Sequence, residues 1–249
     1  PQDHPELQRA DPQPTVLDLA QWGAGLGEDL PWLEPPPRAL LEEGQQQLKQ
    51  LGLVNNTGQI TADGQRVAGF GMHPRLGRML LQAKRWGVES LACDLAALLS
   101  ERDLSGFRDL GTDLSQRLRS LRTPHRTDER DALGTIRQQS RQWLRQLQQM
   151  DMEAEGVPLD DPPDLAMAQL IATAFPEWLA MARPGRIGAF VLQQGRGAVL
   201  PETEPRSTGE ARAGAHPARP QTRTAARCYP ASSSGHYDML RSCHVAFMS

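Results

Sequence analysis

Arginine is the residue on which any chemistry in this sequence rests. Arg75, Arg78 and Arg85 fall in one short stretch, and Arg130, Arg137, Arg141 and Arg145 follow at intervals of seven, four and four. A guanidinium is a planar fork of donors that stays charged at any biological pH, so it grips phosphate and stacks on bases better than an ammonium does. Lys49 and Lys84 are the only lysines. On a helix rising about 1.5 Å per residue the second series lies along one side. A stripe of this kind is either a solvated face or a track for a phosphate backbone. Arg75, Arg78, Arg85, Arg137, Arg141 and Arg145 are therefore the candidate nucleic-acid contacts.

Other chemistry is weakly represented. No GxxxxGK[ST] and no DEAH-type acidic motif occur in the sequence, so the backbone cradle and lysine that hold a nucleotide's phosphates are missing. By itself the chain is expected neither to bind ATP in that manner nor to hydrolyse it. Gly23, Gly25 and Gly27 follow a helical pattern rather than a strand and read as a turn. Ser100, Ser105 and Ser140 lack a glycine-flanked elbow; His73 and His125 each sit beside a proline, and His73 reads as a helix-start residue. Glu42-Glu43 and Asp160-Asp161 read as helix-surface and loop charge. Cys93 lies near the apolar side of a helix and is expected to be a buried thiol. Cys228, His236, Cys243 and His244 lack the short paired spacing of a zinc site, so no metal is expected there.

The elements that position the arginines are mostly helical. Thr15 to Trp22 makes a short helix, and a second runs from Pro37 to Gly52 with Leu41, Gly44, Leu48 and Leu51 inward. Asn55-Asn56-Thr57-Gly58 between Leu53-Val54 and Gln59-Ile60 is a hairpin signal. Helix, helix, hairpin is the order of a winged helix, although Glu42, Glu43, Gln45, Gln46, Gln47 and Lys49 on its second helix make an acidic to neutral set that duplex phosphate would repel. Thr61 caps the next helix, which Gly69 and Gly71 end. Pro74 opens another, with Leu76, Met79, Leu80, Ala83 and Trp86 on one face and Arg75, Arg78, Gln82 and Arg85 on an expected basic outer side. After Gly87, the residues Leu91, Ala92, Leu95, Leu98 and Leu99 define a helix that leaves Glu89 and Asp94 outward. A short helix from Asp113 to Leu121 precedes the longest one, capped at Thr127 with Asp128 and Glu129 in its first turn, along which Leu133, Ile136, Ser140, Trp143, Leu147 and Met150 recur. Asp164 starts a last helix that runs to Phe175, and β-like runs follow at Ile187 to Leu192 and Ala198 to Leu200.

Thr61, Gly64 and the run Met72, His73, Pro74, Arg75, Leu76, Arg78, Met79, Leu80 resemble the helicase-associated region of bacterial HrpB-type ATP-dependent helicases, relatives of the DEAH-box RNA helicases. Upstream, Pro5-Glu6-Leu7, Arg9-Ala10-Asp11, Leu19-Ala20, Trp22-Gly23 and Trp32-Leu33 with Pro35 to Pro37 extend the likeness. Downstream it runs through Phe175-Pro176, Ala180, Arg183 and Gly195-Arg196-Gly197-Ala198. The resemblance implies a winged helix followed by a ratchet-like bundle that packs on motor domains carrying ATP and magnesium and guides single-stranded RNA or DNA. It divides the chain into an extended approach from that motor (1–14), a winged-helix-like unit (15–72), a helical bundle (73–182) and the start of a β region (183–205). From 206 to 249 the composition turns to Arg, Ala, Ser, Pro and His without an apolar face, and a disordered tail, out of frame or unrelated to the family, is expected.

Composition sets the limits. The sequence has 249 residues, 39% of them hydrophobic, enough for one or two domains, and 27 basic against 30 acidic residues give a net charge of −3. There is no global field to gather polyanions, so nucleic-acid contact must be local. No apolar run spans a bilayer and the first residues carry no secretory pattern, so a cytoplasmic site is expected and no membrane partner. Two other readings compete: a protein-docking helical module without nucleic-acid contact, and a winged-helix DNA-binding regulator.

Overall fold

Helix α1 (Pro12–Trp22) starts earlier than its apolar spacing indicates. Asp11 is the reason: its carboxylate accepts from the Gln13 amide at 2.8 Å, and Pro12 fills the first position, where no amide is needed. The computed structural model describes residues 11–101, 114–123, 130–152, 163–183, 189–192, 195–199, 223–228 and 243–248. The caps read at Thr127 to Glu129, the helix start at Asp113, Asp160-Asp161, Ser105, His125 and Ile187 all lie outside those residues.

From α1 the chain turns through Gly23, Gly25 and Gly27, all at positive φ, as the glycine spacing indicates. Trp32 donates its indole N–H to the Gly27 carbonyl at 2.7 Å and closes the loop. Helix α2 (Arg38–Gln50) then packs on α1 through Leu41, Gly44 and Leu48. The following hairpin is held by a β-bridge between Val54 and Ile60 and by the Asn55 side chain, which accepts from the Thr57 and Gln59 amides at 3.0 and 2.9 Å. Gly58 takes φ +84° there, the left-handed conformation such turns need.

Thr61 caps α3 (Ala62–Ala68) as its position foretells: its hydroxyl oxygen accepts from the Gly64 amide at 3.0 Å and its own proton goes to the Gly52 carbonyl at 2.8 Å. Helix α4 (Pro74–Trp86) begins at Pro74 and ends at Gly87, φ +71°, in a left-handed cap. Helix α5 (Glu89–Ser100) follows after one turn. The remaining helices are α6 (Leu114–Arg122), α7 (Arg130–Gln149) and α8 (Pro163–Ala174). The apolar faces named in the sequence form one continuous core running from Val16 in α1 to Phe175 beyond α8. Helix α4 is its axis, packed against α1, α3, α5, α7 and α8.

Two expectations fail here. Helix α4 has no free basic side, because Gly77 and Leu81 are buried along with the predicted face and α3 and α8 cover the arginines. Helix α5 buries Cys93, Ala96 and Ala97 as well as its leucines, so it is enclosed nearly all round and Asp94 is not outward. Cys93 itself is fully buried, as its position suggests, and burial, with Asp94 and Glu89 adding, pushes its thiol up to about 12.

After a 3-10 turn (Pro176–Trp178) come β1 (Leu179–Ala182), β2 (Ala189–Leu192) and β3 (Gly197–Val199). Strands β4 (Arg223–Cys228) and β5 (Cys243–Met248) complete a five-stranded sheet of order β3-β2-β1-β5-β4, antiparallel except where β5 runs parallel to β1. The β run near residue 190 is present. The tail expected to be without structure contributes two paired strands within its described residues, one of them the run Cys-His-Val-Ala-Phe-Met, too short to show a periodic face yet carrying the β-branched and aromatic residues that suit a pleat.

The tightest joint in the fold is glycine on backbone. A Cβ at Gly64 would lie 2.1 Å from the Leu53 carbonyl oxygen and 2.7 Å from the Ile60 side chain. Backbone cannot swing aside as a flexible side chain can, so Gly64→Ala should destabilise the chain by about 2 kcal/mol or more, in the range of overpacked cores. Urea unfolding of the variant checks it; an unchanged midpoint would mean that α3 shifts freely off the hairpin.

Candidate nucleic-acid interface

The six candidate arginines separate into those the fold uses and those it leaves. Arg75, in the first turn of α4, is only 13% exposed and turns toward α8. Its Nη1 donates to the Ala174 carbonyl at 2.8 Å and meets Glu177 at 2.9 Å, with its guanidinium 5.4 Å from the centre of the Phe175 ring. Arg137 of α7 donates from Nε to the Leu121 carbonyl at 2.7 Å and from Nη2 to the Thr123 carbonyl at 2.8 Å. Lys84, which the sequence did not single out, donates from Nζ to the Leu147 carbonyl at 2.8 Å. Each of these cations meets carbonyls that the end of a neighbouring helix leaves without an intrahelical amide. The C-termini of α6, α7 and α8 are thus closed by Arg137, Lys84 and Arg75, where the partial negative charge of the helix also favours a cation.

Arg85 is spent on an acid. Its Nη2 meets both oxygens of Asp63 at 3.0 and 2.8 Å, and Arg66 donates to the same carboxylate at 3.1 Å, so one aspartate ties α3 to α4. Burial raises the Asp63 carboxyl, but the hydrogen bond and charge of Arg85, the hydrogen bond of Arg66 and the charge of Arg78 outweigh it and hold it below its ordinary value. Arg78 stands beside this cluster without an acceptor of its own: its Nη1 is buried and unpaired. Burial first, and then the charge of Arg85, draw its guanidinium below the usual value against the pull of Asp63.

Arg141 and Arg145 behave differently. One turn apart on α7, both are exposed and neither forms a hydrogen bond or ion pair with a described residue. The stripe read from the sequence is real as a spacing, but it is divided: Arg137 at its inner end closes α6 and the outer two project to solvent. For Arg75, Arg85 and Arg137 the expectation of free contacts is corrected, because their donors already face carbonyls and carboxylates inside the bundle.

Two further polar junctions escaped the sequence. Asp94 accepts from Arg122 Nε at 2.8 Å and from the Ser140 hydroxyl at 2.6 Å, joining α5, α6 and α7. His73 faces Asp11 across the α1–α4 boundary, Nε2 to Oδ2 at 2.9 Å, while its Nδ1 accepts from the Arg75 amide at 3.3 Å. Both ring nitrogens are engaged, which suits a helix cap that staples two elements and leaves no lone pair for a base. Among the described residues no group of His, Cys, Asp and Glu could hold a metal ion, and no helix is long and apolar enough to cross a membrane.

No family model matches the chain. It is 30% identical over 199 residues to the ATP-dependent RNA helicase HrpB of Escherichia coli (strain K12), a match covering 80% of this chain and 22% of that protein. It is 32% identical over 103 residues to the probable ATP-dependent RNA helicase DHR2 of Saccharomyces cerevisiae (strain ATCC 204508 / S288c), covering 41% of this chain and 14% of that one. Two crystal structures of E. coli HrpB, described as a DExH-box NTPase and a DEAH/RHA helicase, superpose on 83% of the chain with TM-scores of 0.63 and 0.64 at 28% identity. The resemblance to HrpB-type helicases therefore holds as homology across most of the chain, which spans 22% of HrpB itself.

The Asp11–His73 staple makes acid stability a test of the α1–α4 joint. Burial lifts the Asp11 carboxyl, but the hydrogen bond and charge of His73, the Gln13 amide and Arg75 together bring it below the ordinary aspartate value. A carboxyl whose folded value is lowered adds stability above the unfolded value and loses it as pH falls through the folded one. Urea midpoints should therefore drop as pH falls below 3.8, with a shallower drop in Asp11→Asn, which keeps the cap but not the titration. Equal acid slopes in the two proteins would remove the staple from the account.

Proposed function

We propose that this chain is the accessory helical part of an ATP-dependent RNA helicase, packing on motor domains outside it and guiding single-stranded nucleic acid past α7. The observation that carries the reading is the pair Arg141 and Arg145: exposed, one turn apart and free of described partners, on a chain homologous to HrpB over 80% of its length. Arg78 is not one of these contacts: its Nη1 is buried beneath the cover of α3 and α8 and meets no acceptor. Arg75, Arg85 and Arg137 support the bundle from within.

In this reading α1 to α3 with the hairpin between them form a winged-helix-like unit, α4 to α8 a ratchet-like bundle, and β1 to β3 the start of a β region; the expected bounds at 14/15 and 182/183 move to the Asp11 cap of α1 and to Leu179 at the start of β1. ATP and magnesium belong to that motor, in the cytoplasm, and this part lends a path rather than a reaction. A phosphate backbone laid along α7 would meet guanidinium groups at about 6 Å intervals, the rise of four helical residues. That is close to the spacing of successive phosphates on an extended strand.

A docking role on protein has its own support in Leu33, 99% exposed, and Trp22, 71% exposed, at the two ends of the glycine turn. Large apolar side chains so placed suit burial against another surface. The two roles are compatible, because a part that guides a strand must also be anchored to what moves it.

Fluorescence anisotropy with a labelled oligouridine separates them. Affinity should fall as salt rises, and Arg141→Glu with Arg145→Glu should weaken it and flatten the log–log salt slope by about 1.4, roughly 0.7 for each phosphate contact on a single strand. Binding indifferent to both salt and charge reversal, with the chain still captured by the isolated motor domains, would leave docking as the function.

A further inference from the structure

Four polar residues of α4 share one side of the helix, and the fold engages only the outer two. Arg75 meets Glu177 and the Ala174 carbonyl, and Arg85 meets both oxygens of Asp63. Between them stand Arg78 and Gln82, four residues apart and so neighbours on the helix surface. Both are half-buried on a helix flanked by α3 and α8, yet neither forms a hydrogen bond or ion pair with a described residue. The charge here is unbalanced as well. Arg66 and Arg85 already meet Asp63, which makes Arg78 a third guanidinium beside a single carboxylate. Its Nη1 is closed off from solvent with no acceptor, and burial, followed by the charge of Arg85, works against its charged form. A half-buried charge without a partner costs stability, so a residue kept only for the fold of this chain would be met by an acid or replaced by an apolar side chain.

The setting selects a ligand by charge and by shape. An excess of guanidinium groups asks for an anion, and the cover of α3 and α8 decides which one. A phosphate of a nucleic-acid strand carries a sugar on either side and needs an open face, such as Arg141 and Arg145 offer on α7. A side-chain carboxylate ends a slender stem and sets two oxygens in the plane of a guanidinium fork. The amide of Gln82, one turn on, adds N–H donors for the same group. The fold makes this pairing itself a short way along the helix, where Arg85 takes both oxygens of Asp63. An outside source of such a carboxylate follows from the packing reading given above, because the chain spans 22% of HrpB and the motor domains lie beyond it.

We propose that Arg78 and Gln82 form a socket for one acidic side chain of the motor domains, its carboxylate received by the guanidinium and the amide together; the proposal rests on the packing reading and names where that packing is anchored. The complete chain, isotopically labelled, is titrated with acetyl-Gly-Glu-Gly-amide and with the same peptide carrying glutamine, which keeps the shape and loses the charge. The glutamate peptide should move the Arg78 Nε–H and Gln82 side-chain amide signals and leave those of Arg141 and Arg145 in place. The glutamine peptide should bind at least about tenfold more weakly, the loss of one charge-assisted contact. Arg78→Met should lower the glutamate affinity to the glutamine level while its urea midpoint holds or rises, because the change removes an unpaired charge and keeps an unbranched stem. Gln82→Ala should also weaken the glutamate peptide, and it tests the socket independently of the first variant. Equal binding of the two peptides, no movement at Arg78 up to about 10 mM, beyond any useful affinity, a lower midpoint for Arg78→Met, or the same signals moved by oligouridine would each overturn the proposal. Motor domains that capture the chain and its Arg78→Met variant equally well would also overturn it while sparing the packing reading, which fails only if neither is captured.

Discussion

A helix that ends inside a bundle leaves carbonyls that must be met, and the whole arrangement turns on how this chain meets them. Water cannot reach every such end, and each unpaired buried carbonyl costs on the order of 1–3 kcal/mol. The fold answers with long cations sent across from neighbouring helices: Arg75 to the end of α8, Lys84 to the end of α7, Arg137 to the end of α6. Apolar faces alone would let these helices slide along one another, because leucine packs nearly as well one position on. A donor reaching a particular carbonyl fixes the axial offset, and two of the three donors come from α4. The helix that supplies most of the core also sets the register of the bundle.

Acids serve the same end between helix sides. Asp63 holds Arg66 and Arg85, and Asp94 holds Arg122 and Ser140, so each carboxylate joins elements that the apolar core merely brings close. Neither acid is fully enclosed, which keeps the cost of desolvating the pair modest while its geometry still constrains the helices. Arg78 is the unbalanced member, a third guanidinium beside an aspartate that has already met two.

Much of this was legible from spacing. The Thr61 cap, the Pro74 start, the Gly87 end and the buried stripe Leu133, Ile136, Ser140, Trp143, Leu147 are local signals, and local physics decides them. The direction of the arginines was not legible. Periodicity separates an apolar face from a polar one but does not say whether the polar face meets water. For α4 it meets α3 and α8, and the partner of Arg75, Glu177, is 102 residues away in the sequence. Asp94 departs from its expected outward place for the same reason, since a helix enclosed nearly all round leaves little outward face for an acid to occupy. The Asp11-Pro12 start of α1 was available as an aspartate cap followed by a first-turn proline, and was obscured by the prolines around it. Strands of four to six residues, such as β1 and β5, are too short for period alone to distinguish from other apolar runs.

What the chain can offer to a partner is therefore what remains after its internal ends are closed. A formal charge of −3 says little about this, because it counts Arg75 and Arg141 alike although one is shielded by a glutamate, a carbonyl and a ring and the other faces solvent. Along α7 the change of role comes within one turn: Arg137 reaches the Leu121 and Thr123 carbonyls at the end of α6, and Arg141, four residues on, is exposed and meets no described residue. The stripe continues because helical spacing continues it, while its use changes because the open carbonyls lie within reach of Arg137. What α7 leaves free to meet a phosphate is therefore decided by which of its arginines a neighbouring helix end engages, and not by the spacing of the arginines themselves.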